Sequence, residues 1–256
     1  MHIYDGMAVI RRAVDKDPMG RAPRSLITQA LTPMAGDVHV WTFEGRNHLA
    51  KRRQLYPSYK DRPSTMNEGF FALLDLIRDA MKHTSALQIA VPGYEADDVI
   101  AHLVRHYAGK LPIKIHTVDR DLNQLLTFPD VTTTASPLAG VEPHYVRLYK
   151  TYVGDASDKI PGVRGFGDKT WGTCDKQALL TATHHLLENE PLADLFVEAG
   201  LQTKMVEKII ENANDVRTFW AITGFMPIDP KDVHENTTVG QFDAAAADAI
   251  LKKYRH

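Results

Sequence analysis

The chain has 256 residues, 44% of them apolar and 24% charged, with 16 Gly and 14 Pro. This is the length and composition of one large folded domain or a domain with an appendage, and it excludes a disordered, collagenous or coiled-coil chain. No apolar run approaches the roughly 18 residues of a membrane span, no basic-then-apolar signal pattern opens the chain, and the single Cys174 cannot form an internal disulfide, so a reducing cytoplasm is the expected setting.

In chain order, five short apolar segments read as buried strands: 2–4, 38–43, 87–91, 113–118 and 131–134. Helical spacing separates them. Segment 66–83 puts Phe70, Leu73, Leu74, Ile77 and Met81 on one face, with Thr65 and Glu68 spaced as a capping box. Segment 96–107 repeats the pattern with Val99, Ile100, Leu103, Val104 and Tyr107. Strands alternating with helices predict an α/β fold, a mostly parallel sheet with helices on both faces. Beyond Glu142 the strand signal fades, and 176–187 and 201–219 read as helices. The expected division is a sheet domain over 1–141 and a helical region over 142–256.

In open α/β sheets, ligands sit beyond the carboxyl ends of the strands. Asp5 follows the first predicted strand and Glu44 the second. Glu95, Asp97 and Asp98 come a turn after the third, and Asp119 and Asp121 close the fourth. In a parallel sheet these four groups converge on one edge. Each has a plain reading on its own: acids in a first helical turn cap the helix, and Asp119-Arg-Asp121, with two carboxylates on one side of an extended chain, also suits a solvated loop. Their joint recurrence argues otherwise, because three adjacent like charges repel unless a cation sits among them. Hard oxygen ligands without thiolates or clustered histidines suit Mg²⁺ or Mn²⁺ better than zinc. His102 and His106 are four apart on a helix, but no Glu follows His102 and no Cys lies near, so they read as a polar helix face.

The most informative stretch is Gly154 to Thr170, GDASDKIPGVRGFGDKT. It adds Asp155 and Asp158, then a glycine-spaced hairpin (Gly162, Arg164, Gly165, Gly167) leading into a helix expected near Asp168. Glycines there admit positive φ and let a phosphate approach the backbone. The stretch is not a P-loop, because Asp168 separates Gly167 from Lys169 and no strand leads in. Turn chemistry alone is the plain alternative.

With these motifs in order, the chain resembles the 5′ nuclease family, which comprises phage enzymes, the amino-terminal domains of bacterial DNA polymerase I, and flap endonucleases. Gly93-Tyr-Glu-Ala-Asp-Asp-Val-Ile100 is similar to the family's acidic helix start, and Val118-Asp-Arg-Asp-Leu-Asn-Gln-Leu-Leu126 to its Asp-x-Asp strand end. The 154–170 stretch resembles its helix-three-turn-helix. Residues 52–62, containing Leu55-Tyr-Pro-Ser-Tyr-Lys60, resemble its basic arch. The resemblance runs from Asp5 to about Thr170. Three departures stand out: Glu44 where the family has Asp, Lys159 where Asn is usual, and a Tyr59-Lys-Asp-Arg62 spacing one residue shorter than the common one.

The resemblance implies a PIN-like catalytic domain with its arch at about 45–66, and a helix-three-turn-helix at about 154–187. It implies a metal-dependent 5′-3′ exonuclease and flap endonuclease acting in DNA replication or repair. Two Mg²⁺ ions, replaceable by Mn²⁺, are implied: Asp5, Glu44, Glu95, Asp97 and Asp98 around one, Asp121, Asp155 and Asp158 around the other, and Asp119 between them. Asp5, Lys60, Arg62, Asp98 and Asp119 form the implied catalytic set. Arg52, Arg53, Tyr56, Tyr59, Lys60 and Arg62 would meet the 5′ strand. Gly162, Arg164, Gly165, Gly167, Lys169 and Thr170 would hold duplex backbone, with K⁺ at the hairpin. The implied partner is DNA with a 5′ end, nick or flap, an RNA–DNA hybrid staying open, with no membrane and a monomeric chain.

The net charge of −2 lacks the basic excess usual for a nucleic-acid binder. Its distribution is uneven, however: between Arg46 and Arg62, six basic residues (Arg46, Lys51, Arg52, Arg53, Lys60, Arg62) stand against Asp61 alone. Setting the nine proposed ligand carboxylates aside leaves the remainder at about +7, which suits a polyanion. The competing readings are a non-catalytic DNA-structure binding module with a degenerate active site, and a phosphatase with an Asp-x-Asp pair. The second is disfavoured because Asp119 ends a later strand and Leu122 follows the pair.

Overall fold

The computed structural model describes residues 1–16, 21, 23, 25–27, 36–63 and 66–253. Five parallel strands stand where the apolar segments predict them: β1 (His2–Asp5), β2 (His39–Thr42), β3 (Leu87–Ile89), β4 (Ile113–His116) and β5 (Val131–Thr133). Most end a residue or two early, because the chain leaves the ladder to form the loops beyond the sheet edge. Sequence reading missed a sixth strand, β6 (Thr237–Val239), which pairs antiparallel with β3. Its three residues are largely solvent-facing, with Val239 68% exposed, so no buried apolar run marks it. The sheet order is β5-β4-β1-β2-β3-β6.

Both faces of the sheet are covered. Successive residues of a strand point to opposite faces, and Ile3 and Tyr4, like Val40 and Trp41, are all buried. Tyr4, Trp41 and Phe43 share a core with α1 (Gly6–Asp15), the helix Glu68–Met81 and the helix Ala244–Lys252. The helix Ala96–Tyr107 packs on β1 and β2. In chain order the described helices of this unit and the next are α1, α2 (Ala50–Leu55), α3 (Glu68–Met81), α4 (Ala96–Tyr107), α5 (Val146–Tyr152), α6 (Asp168–Thr173), α7 (Lys176–Leu187), α8 (Ala193–Glu198), α9 (Thr203–Glu211), α10 (Ala213–Thr223), α11 (Pro230–Glu235) and α12 (Ala244–Lys252). All five residues expected on the buried face of α3 are buried. Its start differs from expectation, however: Asn67 caps it by accepting from the Phe70 N–H at 2.9 Å, and Thr65 lies outside the described residues.

The chain divides into two compact units, one formed by 1–50, 62–136 and 227–256 and the other by 51–61 and 137–226. The first holds the whole sheet. Residues 227–256, which read as part of a helical region, belong with it through α12 and β6. The second unit is helical, with a core of Leu148, Tyr152, Trp171, Leu179, Leu186, Phe196, Ile209 and Val216 among others. The single helix expected over 201–219 is two helices, α9 and α10. They part at Asn212, whose backbone leaves helical geometry at φ −106 and ψ 28 and whose side-chain amide donates to the Lys208 carbonyl at 2.8 Å. Cys174 is a packed thiol in this core, 4% exposed.

Candidate metal centre and nucleic-acid contacts

In the first unit the acids lie past the carboxyl ends of four neighbouring strands. Asp5 is the last residue of β1 and also the N-cap of α1. One of its carboxylate oxygens accepts from the Ala8 N–H at 3.1 Å and the other from the Thr117 hydroxyl at 2.8 Å. Glu44 follows β2, and its Oε2 accepts from the Ala96 N–H at 3.0 Å, which places it over the first turn of α4. The adjacent Gly45 permits this: a Cβ there would stand 1.8 Å from the Val91 carbonyl oxygen, closer than any side chain allows. Glu95 and Asp98 cap α4 reciprocally, the Glu95 N–H donating to Asp98 Oδ2 at 3.2 Å. The plain capping role is therefore real. Glu95 is 3% exposed and Asp98 fully buried, so both carboxylates are held inside the fold at the start of α4. Asp97 is partly buried beside them.

The Asp119-Arg-Asp121 segment is not the extended chain expected. Asp121 opens a 3₁₀ turn (Asp121–Thr127), Arg120 is helical in φ and ψ, and the Asp121 N–H donates to Asp119 Oδ1 at 2.8 Å. A three-residue span with a backbone-to-carboxylate bond is an Asx-type turn, which holds the Asp119 carboxylate instead of leaving it on a flexible strand end.

In the second unit, Asp155 and Asp158 bring carboxylate oxygens within 4.8 Å of one another. Asp155 accepts from the Ser157 N–H at 2.8 Å and hydroxyl at 2.5 Å, and from the Lys150 ammonium at 2.5 Å. Burial by itself would push the Asp155 carboxyl up, but the Lys150 charge and the Ser157 hydrogen bonds outweigh it and hold the carboxyl below its ordinary value. Lys150 was not foreseen, since a lysine inside a helical segment reads as a solvated face. It is 9% exposed here. The Lys60 ammonium lies 4.0 Å from Asp158, and the Lys60 N–H donates to the Asp158 carbonyl at 3.1 Å.

The basic arch is less exposed than its sequence suggests. Arg52 is 3% exposed, and its guanidinium donates to the carbonyls of Ile222 at 3.1 Å and Gly224 at 3.0 Å. Tyr59 is also 3% exposed, lying under Arg52 and Lys60. Neither presents the open surface expected of a phosphate contact or a base-stacking ring. Tyr56 is partly buried against Phe219. Arg53 is exposed and bonds the Tyr59 and Lys60 carbonyls at 3.0 Å, closing the turn after α2. Arg62 is exposed, at the edge of the first unit.

The 154–170 stretch is a short loop closed by an antiparallel Asp155–Ile160 bridge, followed by a turn in which the Phe166 N–H donates to the Val163 carbonyl at 2.8 Å, and then α6. Gly162 has φ +66, and a Cβ there would stand 2.5 Å from the Tyr152 carbonyl oxygen, so only glycine fits. Gly165 lies beside Lys208 and Met205 of α9, and Arg164, Gly165, Gly167 and Lys169 are exposed while Thr170 is partly buried. Lys159 adopts φ +61, a left-handed conformation that asparagine tolerates better than lysine. Lys159→Asn is therefore expected to stabilise the protein by about 0.5–1 kcal/mol and to raise Tm by roughly 1–4 °C, read by calorimetry; a lower Tm would contradict the strain.

The first unit is a mostly parallel α/β sheet with acids at or beyond four neighbouring strand ends, and the second is a helical unit with Asp155 and Asp158 close together. The chain belongs to the 5′-3′ exonuclease family: residues 23–150 match the family model described as the 5′-3′ exonuclease N-terminal resolvase-like domain. It is 33% identical to a 5′-3′ exonuclease of Aquifex aeolicus, over 47% of this chain and 46% of that protein. It is 31% identical to the thermostable DNA polymerase I of Thermus thermophilus, over 65% of this chain and 22% of that protein. The chain thus spans about half or less of the length of the curated relatives it matches. Its fold is shared with the bacteriophage T5 D15 protein co-crystallised with metal ions, at TM-score 0.66 and 18% identity over 98% of this chain and 97% of that one. It is shared too with a T5 flap endonuclease in a pseudo-enzyme–product complex with DNA and metal ions, at TM-score 0.63 and 16% identity over 100% of this chain and 99% of that one. Among the described residues no helix is long and apolar enough to cross a membrane.

Proposed function

We propose that this protein is a metal-dependent 5′ nuclease that hydrolyses phosphodiester bonds at DNA 5′ ends and 5′ flaps in replication or repair, working as a monomer in the cytoplasm. The observation that carries the proposal is the hydrogen-bonded set of carboxylates, Asp5 with Asp119 through Thr117 and Glu44 with Glu95 and Asp98 at the start of α4, at one edge of a parallel sheet. Membership of the 5′-3′ exonuclease family supports it.

The donor set fits two Mg²⁺ or Mn²⁺ ions, because it is all carboxylate oxygen without sulfur. We assign Asp5, Glu44, Glu95, Asp97 and Asp98 to one ion and Asp121, Asp155 and Asp158 to the other, with Asp119 shared. When bound, two such ions supply an ionised water and neutralise the leaving oxygen. The chain's own residues orient and bind. Thr117 and the α4 cap hold the carboxylates in place. Lys60, whose ammonium lies 4.0 Å from Asp158, and Arg62 would receive the scissile phosphate. Arg53 and Tyr56 line the 5′ strand. Arg164, Lys169 and Thr170, with the backbone at Gly162, Gly165 and Gly167, hold downstream duplex as a helix-three-turn-helix spanning about 154–187, where K⁺ would bind carbonyls. Backbone contacts of this kind read shape and not bases. In this reading the catalytic domain expected over 1–141 is completed by residues 227–256, which carry β6 and α12, and the helical region expected over 142–256 is reduced to 137–226 with 51–61.

The test is a labelled 5′-flap duplex incubated with protein in Mg²⁺ and in chelator. Cleavage is expected in Mg²⁺ and none in chelator; cleavage that survives chelation would refute the mechanism. Tight flap binding without cleavage in either Mg²⁺ or Mn²⁺ would favour the non-catalytic module.

A further inference from the structure

Thr117 is one residue past β4, and β4 pairs with β1 so that Tyr4 stands opposite His116. The next step along both strands sets Thr117 beside Asp5. Its hydroxyl has one proton, and this is donated to Asp5 Oδ2 at 2.8 Å. The same oxygen accepts the Asp119 N–H at 2.9 Å. One buried hydroxyl, on a residue 1% exposed, thus fixes a carboxylate from the end of one strand and the backbone of a second carboxylate residue three positions further on from its own strand.

Thr117 is itself held on both backbone sides. The Thr117 N–H donates to the Thr134 hydroxyl at 2.9 Å, and that hydroxyl donates to the Thr117 carbonyl at 2.7 Å. Thr134 follows β5, whose ladder to β4 ends at Ile115 and Thr133, and the Thr134 N–H adds a last bond to the Ile115 carbonyl at 3.0 Å. The Thr134 side chain therefore takes over where the backbone ladder stops. β-Branching restricts χ1 of both threonines, so the chain Thr134–Thr117–Asp5 has few alternative arrangements.

We propose that Thr117 is a positioning residue for the metal centre, setting the Asp5 carboxylate and the Asp119 segment in mutual register, with Thr134 as its support; this rests on the reading that Asp5 and Asp119 ligate a divalent ion. Groups that orient metal ligands through hydrogen bonds are typically worth about 10–100-fold in metal affinity. Removing the Thr117 hydroxyl leaves Asp5 with one fewer donor and the Asp119 N–H without its acceptor, and the two ligands lose their common reference point.

The experiment is Mn²⁺ titration of the intact protein, followed by electron paramagnetic resonance, for wild type, Thr117→Val, Thr117→Ser and Thr134→Val, with Tm measured on each. Thr117→Val is expected to weaken Mn²⁺ binding about 10-fold or more, and Thr117→Ser to restore most of it, because the hydroxyl returns. Thr134→Val is expected to fall between them. Wild-type affinity in Thr117→Val, or a loss in Thr117→Ser as large as in Thr117→Val, would overturn the proposal. Should Thr117→Val fail to fold, unchanged affinity in Thr134→Val would overturn it equally. A wild-type protein that binds no Mn²⁺ would sink the metal reading and this inference together, whereas wild-type binding that is lost in Asp5→Asn but kept in Thr117→Val would sink this inference alone.

Discussion

Asp121→Asn is expected to lower turnover on a 5′-flap substrate by about 100-fold or more while leaving DNA affinity equal to wild type or a few-fold tighter. Asparagine has the shape of aspartate, and the bond that organises this turn comes from the Asp121 backbone N–H to Asp119 Oδ1, so the local geometry survives the change. What is lost is one negative charge and, in the proposed centre, one oxygen ligand. Hard divalent ions depend on anionic oxygen, and removing a carboxylate from the approach of a phosphate lessens repulsion. Single-turnover cleavage in Mg²⁺ and fluorescence anisotropy in chelator separate the two effects. Unchanged turnover would remove Asp121 from the ligand set. Asp155→Asn is a less clean probe, because Asp155 also neutralises the buried Lys150 and its loss would cost stability as well.

Arg52→Ala is expected to act on folding. The guanidinium is buried and satisfies two carbonyls, at Ile222 and Gly224. Hydrogen bonds from a charged group contribute about 1.5–3 kcal/mol each, and the orphaned carbonyls carry a desolvation penalty of their own. A loss of about 3 kcal/mol or more lowers Tm by roughly 6–12 °C for a chain of this size. Arg53→Ala, at an exposed position one residue on, is expected to shift Tm far less. Calorimetry on both decides the matter. A Tm unchanged in Arg52→Ala, together with a shallower salt dependence of DNA binding, would show that Arg52 faces phosphate, as its place in a basic run suggests.

The contrast between Arg52 and its neighbours marks how far the primary structure can be read. A run of basic residues between Arg46 and Arg62 announces a charged segment, but charge in a sequence does not reveal which side chain turns inward. Arg52 and Tyr59 are buried because the segment 51–61 lies with the helices of 137–226, and that is a long-range fact. Lys150 escaped notice for the same reason. A lysine in a helix has many solvated fates, and only the loop of Asp155 returning over α5 makes it a counter-ion.

What the sequence determined by itself were the features with local causes. Short apolar runs bounded by turn residues set the five parallel strands, and period-3.6 apolar spacing the helices α3, α4 and α7, because burial on both faces of a strand or one face of a helix imposes those patterns wherever the element lies. The acids after each strand were legible too, since a parallel sheet sends all its strand ends to one edge. Left to the tertiary structure were β6, whose edge position needs no apolar run, the break at Asn212, and the Asx turn of Asp119. Tertiary structure also settled the bonding of Asp5 to Thr117 across 112 positions. A hydrogen bond between two strands depends on register, and register is fixed only when the whole sheet has paired.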